Sequence, residues 1–173
     1  MLEPVFYDCE ASALEGVPIE IGWAWVDDAK RSLISESHLV LPPPEWSIES
    51  LWDPDAQKLH GITLSGLRAQ GRPVGDIARR MNQALAGREL FSDDPHDRAW
   101  LRLVFEAAGL EPTFTIRETD ARLFISRLAA DRCIDADAYA RARESATQRE
   151  PRRHRAEADA RHLATLWWII AAA

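Results

Sequence analysis

The stretch Val5–Ala11, VFYDCEA, is an apolar run near the N-terminus that carries two carboxylates two residues apart. Its composition predicts a strand, and the period-2 geometry of a strand places Asp8 and Glu10 on one face and Cys9 on the other. Two buried carboxylates on one face repel each other and raise each other's pKa unless a cation neutralises them. The stretch therefore predicts either a cation site or a strand at a solvent edge whose two acids are hydrated.

The residue types near this pair narrow the choice of cation. Oxygen-only ligation without a Cys or His cluster suits Mg²⁺ or Mn²⁺ rather than zinc. The only two cysteines, Cys9 and Cys133, match neither a CxxC nor a Cys/His zinc spacing, which argues against a zinc finger or a disulfide framework. We expect Cys9 to pack in the core.

Outward from this stretch, strands come first and then alternate with helices. Five strands are predicted, at residues 4–9, 19–26, 33–41, 88–91 and 113–116. Helices are predicted at residues 74–87, 97–109, 119–131, 135–145 and about 154–171. The proline-rich segment 41–57 is expected to be an ordered loop. This order predicts one α/β domain over residues 1–173, with a mixed five-stranded sheet, antiparallel leading strands and flanking helices.

Charge limits the classes of partner. Twenty-one Lys and Arg against 28 Asp and Glu give a net charge of -7, which argues against a bulk electrostatic grip on long duplex nucleic acid. Residues 141–155 hold six arginines and two glutamates. This local positive stretch is expected either to lie over a substrate backbone as a mobile loop or to be a solvated helix face and linker.

The two ends of the chain carry no membrane signal. The N-terminal MLEPVFYDCE has no basic region followed by an apolar one, and LATLWWIIAAA is too short to span a bilayer. We expect a soluble, cytoplasmic protein whose last helix is buried.

Two further clusters contain acids. FSDDPHDRAWL places Asp93, Asp94 and Asp97 where a strand ends and a helix begins, which is typical of a ligand site but also of helix capping. HRAEADARHL, at the start of the last helix, holds His154 and Asp159 five residues apart. A helical histidine among charges is commonly solvated surface, so neither cluster decides the function alone.

Together the three clusters resemble the DEDDh family of 3′-to-5′ exonucleases, which has a ribonuclease H-like fold and includes ribonuclease T and oligoribonuclease. The first family motif, D-x-E, appears as FYDCEASAL, and an H-G-I element appears as LHGIT at residues 59–63. The second motif resembles FSDDPHDRAWL, and the third, H-x4-D, is His154 to Asp159. Each motif alone is common by chance, but their order on the expected elements is specific.

The resemblance implies a metal-dependent exonuclease that releases nucleoside 5′-monophosphates from the 3′ ends of single-stranded RNA or DNA or short oligonucleotides. It implies two Mg²⁺ or Mn²⁺ ions held by four acids, namely Asp8, Glu10, Asp97 and Asp159, with His154 as the general base. A homodimer is one expected assembly. Asp93 stands where the family has Asn, so Asp93 or Asp94 could share the role assigned to Asp97.

Five residues are expected to contact substrate: Ala11, Ser12, His60, Arg152 and Arg153. Ala11 departs from the Ser or Thr usual at this position, and His60 is expected either to touch the terminal nucleotide or to cap the adjoining helix. Trp46, Trp52 and Trp100 are candidates for stacking on bases, whereas Trp23, Trp25, Trp167 and Trp168 are expected in the core.

Two other readings stay open from the sequence. One is a non-catalytic nuclease-fold module that binds nucleic acid or protein, although such a module has no need of the complete set of acids and histidine. The other is an unrelated α/β domain with accidental motifs. That reading would be supported if Asp8, Glu10, Asp97 and Asp159 failed to converge in space.

Overall fold

The computed structural model describes residues 2–151 and 153–173 and contains one sheet of six strands. The strands are β1 Val5–Ala11, β2 Pro18–Asp27, β3 Ser32–Leu41, β4 Arg72–Pro73, β5 Glu89–Phe91 and β6 Thr115–Ile116. They lie side by side in the order β4-β3-β2-β1-β5-β6.

The pairing of the strands confirms the predicted mixed sheet. β1 pairs with β2 and β2 with β3 in antiparallel orientation, while β5 is parallel to both β1 and β6. The sheet has one strand more than the five predicted, and this additional strand is β4. It is two residues long, contains Pro73 and runs parallel to the end of β3, so it lacks the four to eight alternating residues on which strand prediction depends.

Seven helices surround the sheet in the described part of the chain. They are α1 Pro54–His60, α2 Leu64–Gln70, α3 Val74–Leu85, α4 Pro95–Ala108, α5 Ala121–Asp131, α6 Ala136–Arg149 and α7 Ala156–Ala172. None of these helices is both long and apolar enough to cross a membrane. The predicted burial of the last helix is confirmed, since α7 packs on β1 and β2.

The segment predicted as a loop, residues 41–57, contains more helix than expected. Two 3-10 turns cover Pro44–Trp46 and Ile48–Leu51, and α1 begins at Pro54. The Asp53 carboxylate accepts the amide N–H of Asp55 at 2.8 Å. An Asp cap followed by proline at the first helical position favours a helix start, so this proline begins a helix rather than preventing one.

The alternating side chains of β1 pack into two separate apolar clusters on opposite faces of the sheet. Val5, Tyr7 and Cys9 pack towards α3 and α4, which confirms the core position predicted for Cys9. Phe6 packs on the opposite face with α5, α6 and α7. Because strand residues alternate in direction, Asp8 and Glu10 share the face of Phe6 and lie on the side of α7.

A glycine on β2 lets the start of α7 approach this face. Gly22 pairs with Asp8 across β1 and β2. A Cβ atom at Gly22 would lie 2.3 Å from the backbone nitrogen of Glu157 and 2.4 Å from the carbonyl carbon of Ala156. Real Cβ atoms do not come this close to backbone, so only glycine allows α7 to begin beside Asp8.

We therefore expect Gly22→Ala to push the start of α7 away from the sheet. Overpacking of this kind costs about 1–3 kcal/mol of unfolding free energy, which urea denaturation measures. Gly75→Ala on α3 is the matched control, because the nearest atom to its Cβ would be the flexible Arg79 guanidinium at 3.4 Å. A helical Gly→Ala change is neutral or stabilising, and equal losses in both variants would contradict the close packing.

Candidate active site

Two parallel strands bring the first and second acid clusters to the same edge of the sheet. The pairing of β1 with β5 ends at Phe6 and Phe91. Two residues further along each chain stand Asp8 and Asp93. Parallel neighbouring strands end at one edge, so the sheet itself places these carboxylates side by side.

Asp97 reaches the same edge from the first turn of α4. Its Oδ1 accepts the backbone N–H of Cys9 at 3.1 Å, which ties α4 to the middle of β1. The residue is 1% exposed, and Oδ2 has no hydrogen-bond partner in the described part of the chain. A buried carboxylate oxygen without a donor is costly, and a cation at this point would remove that cost.

The third cluster arrives with α7. Asp159 lies in the first turn of α7 and is buried, and its Oδ1 accepts the backbone N–H of Arg153 at 3.1 Å. Because α7 begins against Gly22, this first turn lies over the face of β1 that carries Asp8. The first turn of α7 thus places the Asp159 carboxylate beside Asp8 and Glu10 of β1.

The carboxylates converge as two groups that share Asp8. Oxygen atoms of Asp8, Glu10 and Asp159 lie within 4.8 Å of one another, and so do oxygen atoms of Asp8, Asp93 and Asp97. This convergence contradicts the reading in which the motifs are accidental. The donor atoms of both groups are oxygens, which suits hard divalent cations.

Burial makes this cluster electrostatically unfavourable without a cation. The pKa of Asp8 is raised well above its usual value, first by burial and then by the charges of Asp97 and Glu10. Burial and the charge of Asp94 raise the pKa of Asp97 to about 8, against the lowering effect of the Cys9 amide. A divalent cation would reverse both shifts, so the donor set fits such an ion.

The neighbouring acids of the second cluster have different surroundings. Asp94 is exposed and caps α4, since its Oδ1 accepts the N–H of His96 at 2.8 Å. Asp93 forms an ion pair with Arg122 at 2.6 Å while lying within reach of Asp8. The cluster thus combines the capping and the ligand-site interpretations. Asp93, and not Asp94, belongs with Asp97 to the group whose oxygens lie within 4.8 Å of Asp8.

His154 lies in the connection between α6 and α7, where its side chain is exposed and lines the same cleft as Asp8 and Asp159. Its φ of 50° is in the left-handed region, which non-glycine residues seldom adopt. The structure thus brings all five motif residues to one cleft. Their roles as ligands and base stay predictions.

The cleft has a volume of about 700 Å³, and one wall is apolar. Leu14 and Leu59 are 64% and 57% exposed at this wall, and Trp100 completes it, donating its Nε1–H to the carbonyl of Gly16. We call this space the acidic cleft. Of the three tryptophans expected to stack on bases, only Trp100 lines it, because Trp46 and Trp52 pack against the core beneath α1 and α2.

The predicted substrate contacts divide into two groups. Ala11 and His60 line the acidic cleft. Ser12 does not, because it is buried and its Oγ accepts the N–H of Val17 at 3.1 Å. Arg153 is exposed but lines a different space, with Glu20 and Arg155. Arg152 lies outside the described residues.

His60 lies at the end of α1, but neither helix beside it is capped by its side chain, since Gly61 caps α1 and Thr63 caps α2. Its contact with a nucleotide stays a prediction. The residue is 5% exposed, and Nδ1 accepts the amide N–H of Ile62 at 3.0 Å just after the end of α1. Burial lowers its pKa, so the neutral ring carries its proton on Nε2. The Ala11 backbone carbonyl lies close enough to the ring to raise its pKa, although Nε2 has no hydrogen bond of normal geometry in the described part of the chain.

Sequence reasoning missed a buried ion pair beneath His154. Glu20 on β2 is 2% exposed, pairs across the strands with Glu10, and accepts hydrogen bonds from the Arg155 guanidinium at 2.9 and 2.6 Å. It also accepts the first amide of α7, from Ala156, at 3.0 Å. The sequence signal was an acid between two buried isoleucines in PIEIG.

We expect Glu20→Gln to loosen the His154 connection. The change removes the charge that holds Arg155, at a cost of about 1–2 kcal/mol once the partial exposure of Arg155 is allowed for. Amide hydrogen exchange at Ala156 is expected to accelerate more than the global loss of stability explains. Glu144→Gln, at an exposed position of α6, is the control, and protection at Ala156 that is equal in both variants would contradict this anchoring role.

Comparisons with known proteins agree with the observed fold. No family model and no curated protein matches the sequence. The structure is similar to E. coli exonuclease I in complex with a dA16 oligonucleotide, with a TM-score of 0.62, 17% identity and coverage of 96% of this chain and 39% of that one. The same enzyme with a dT13 oligonucleotide gives a TM-score of 0.55 at 17% identity, covering 75% and 30%.

Exonuclease X in complex with 5′ overhanging duplex DNA is also similar, with a TM-score of 0.52, 17% identity and coverage of 98% of this chain and 92% of that one. The chain has the fold of these exonucleases. The ribonuclease H-like architecture predicted from the motifs is thereby confirmed. The chain spans 30–39% of the length of exonuclease I, and at 17% identity the likeness shows the fold alone.

Proposed function

We propose that residues 1–173 form one metal-dependent 3′-to-5′ exonuclease domain acting on single-stranded nucleic acid or short oligonucleotides. The observation that carries the proposal is the convergence of two carboxylate groups on Asp8, inside a cleft that also holds His154. Buried like charges are retained in a fold only where something offsets them, and a pair of divalent cations would do so here.

Asp8, Glu10 and Asp159 would hold one Mg²⁺ or Mn²⁺ ion, and Asp8 and Asp97 the other, with Asp93 close by. When bound, such ions lower the pKa of water and offset the negative charge on a reacting phosphate. Asp97 keeps one oxygen without a donor for this purpose. The oxygen-only donor set favours Mg²⁺ or Mn²⁺ over softer metals.

His154 would accept the proton of the attacking water. The water oxygen forms a bond to the phosphorus of the terminal nucleotide, and the bond from that phosphorus to the 3′ oxygen of the preceding nucleotide breaks. The 3′ oxygen takes a proton from solvent, so the products are a nucleoside 5′-monophosphate and a chain with a new 3′ hydroxyl group. Because His154 is exposed at the cleft, it can return its proton to solvent between cycles.

The walls of the acidic cleft would hold the terminal nucleotide. Leu14, Leu59 and Trp100 offer apolar surface to the base, and stacking of this kind tolerates any base. The Nε2–H of His60, which has no hydrogen bond of normal geometry in the described part of the chain, would donate a hydrogen bond to the sugar. Exonuclease I and exonuclease X, whose structures contain oligonucleotide or duplex DNA, support a nucleic-acid substrate.

The proposal predicts that single-stranded RNA or DNA oligonucleotides are degraded to nucleoside 5′-monophosphates with Mg²⁺ or Mn²⁺ and not with EDTA. We expect Asp8→Ala and His154→Ala to lower the rate by at least about 10²-fold, since general-base catalysis alone contributes this much. Product chromatography measures the release. Full activity in EDTA or in Asp8→Ala contradicts the mechanism, and tight binding without hydrolysis would indicate a non-catalytic module.

A further inference from the structure

A second groove adjoins the acidic cleft and differs from it in charge. It lies between α5, α6 and α7 and has a volume of about 600 Å³. We call this space the α5–α6 groove. It is lined by Arg122, Leu123, Ser126, Tyr139, Arg143, Thr147, Pro151, His162 and Leu166. This described lining contains no Asp or Glu, although acids outnumber basic residues in the chain as a whole, 28 to 21.

The two arginines of the groove have different partners. Arg122 lines both spaces and forms an ion pair with Asp93 at 2.6 Å, so it marks the passage from the acidic cleft into the groove. Arg143 is exposed on α6, and no carboxylate in the described residues pairs with its guanidinium. An unneutralised guanidinium facing an acid-free groove is suited to bind phosphate.

Other groove residues add hydrogen-bonding groups. The Nδ1–H of His162 donates to the carbonyl of Glu150 at 2.9 Å, which fixes the ring and leaves Nε2 for another partner. The Tyr139 hydroxyl also lines the groove, beside the exposed Leu123. Cations, neutral polar groups and apolar side chains together match a chain of phosphates, sugars and bases better than they match an isolated ion.

The shape of the acidic cleft requires an exit for a longer substrate. A space of about 700 Å³ is the size of a site for one small ligand, so nucleotides beyond the terminal ones must lie elsewhere. Other parts of its rim carry the exposed acids Asp53, Asp55 and Asp94. These carboxylates repel phosphates, whereas the passage at Arg122 leads to the α5–α6 groove.

We propose that the α5–α6 groove binds the phosphodiester backbone of the substrate strand on the 5′ side of the scissile bond. The inference rests on the proposed exonuclease function and assigns a path to its substrate. It predicts that affinity for oligonucleotides depends on Arg143, whereas a dinucleotide is too short to reach this residue.

Steady-state hydrolysis of a dinucleotide and of an oligonucleotide of about 12 nucleotides tests the inference. Arg143→Glu is expected to raise KM for the oligonucleotide at least about tenfold, and at least about fivefold more than KM for the dinucleotide. Arg127→Glu is the matched control, since Arg127 is exposed on α5 and does not line the groove. Equal effects of the two variants on the oligonucleotide would overturn the inference while leaving the exonuclease function intact.

Fluorescence anisotropy with a labelled oligonucleotide separates binding from hydrolysis. Arg143→Glu is expected to reduce the slope of log affinity against log salt by about 0.7, the value for one lost contact to single-stranded phosphate. An unchanged slope would overturn the inference. If the wild type hydrolyses neither substrate, the proposed function fails, and the anisotropy slope still decides whether the groove binds nucleic acid.

Discussion

Asp97→Asn is expected to abolish most nuclease activity and, at the same time, to stabilise the metal-free protein. Loss of activity follows because the variant lacks one of the carboxylates that would hold the second ion. Removing mere supporting partners of a metal ligand costs 10–100-fold, so we expect at least about 10²-fold in kcat/KM. The gain in stability follows because Asp97 is buried beside Asp8 with one oxygen unpaired.

Asp94→Asn is the control for this prediction. Asp94 is exposed and caps α4, and asparagine caps helices about as well as aspartate. The activity of the control is expected to stay close to wild type. Because the variant removes one of the charges that raise the pKa of Asp97, its urea stability is expected to rise, but less than that of Asp97→Asn. If Asp94→Asn lost as much activity as Asp97→Asn, the second ion would belong to Asp94, and a destabilised metal-free Asp97→Asn would contradict the repulsion inferred at Asp8.

The metal-free protein is expected to lose stability as the pH rises from about 5 to about 8. In the folded chain Asp97 keeps its proton up to a pKa of about 8, whereas an unfolded aspartate loses it near pH 3.9. The folded state therefore binds more protons in this range, and stability falls with rising pH. Each pH unit in this range lowers the free energy of unfolding by about 1.4 kcal/mol, so Asp97 accounts for a decrease of up to about 4 kcal/mol.

Thermal unfolding in EDTA across this pH range measures the loss, with each kcal/mol shifting Tm by about 2–4 °C. Subtracting the profile of Asp97→Asn isolates this carboxylate from the histidines that titrate in the same range. Added Mn²⁺ or Mg²⁺ is expected to restore stability most strongly at about pH 8, where the carboxylates are ionised. Parallel profiles for wild type and Asp97→Asn would show that Asp97 is not held protonated.

Local patterns were sufficient for the features that depend on a single strand or helix. The alternation of VFYDCEA predicted that Asp8 and Glu10 share a face and that Cys9 is in the core, and the packing of Phe6 and Cys9 agrees. The predicted helix ends at residues 87 and 109 lie within two residues of the observed ends of α3 and α4, and Gly109 caps α4 with a φ of 62°. Each of these patterns depends only on residues that are close together in the sequence.

Features that depend on two distant segments were not accessible in the same way. The closeness of Asp93 to Asp8 follows from the pairing of β1 with β5, and no local pattern states that register. The Glu20 ion pair joins residues 135 positions apart. Such pairings are set by how the whole sheet and α7 assemble, so the sequence showed an acid at a buried strand position without naming its partner.

The charge pattern of the arginine-rich stretch, residues 141–155, was ambiguous from the sequence. The stretch was expected to be either a mobile loop or a solvated helix face. The structure continues α6 to Arg149, and the described residues 150, 151 and 153–155 lie outside a helix. Arg143 on α6 and Arg122 on α5 line the same groove. A count of positive charges could not show this pairing of helices.

The polarity of degradation tests the central proposal most directly. An oligonucleotide labelled at its 5′ end is incubated with the wild-type protein and Mg²⁺, and the products are separated at single-nucleotide resolution over time. The account predicts a ladder that shortens one nucleotide at a time while the 5′ label stays on the longest remaining fragments. Early release of the label as a mononucleotide, internal cuts, or an intact substrate in Mg²⁺ and Mn²⁺ alike would contradict it.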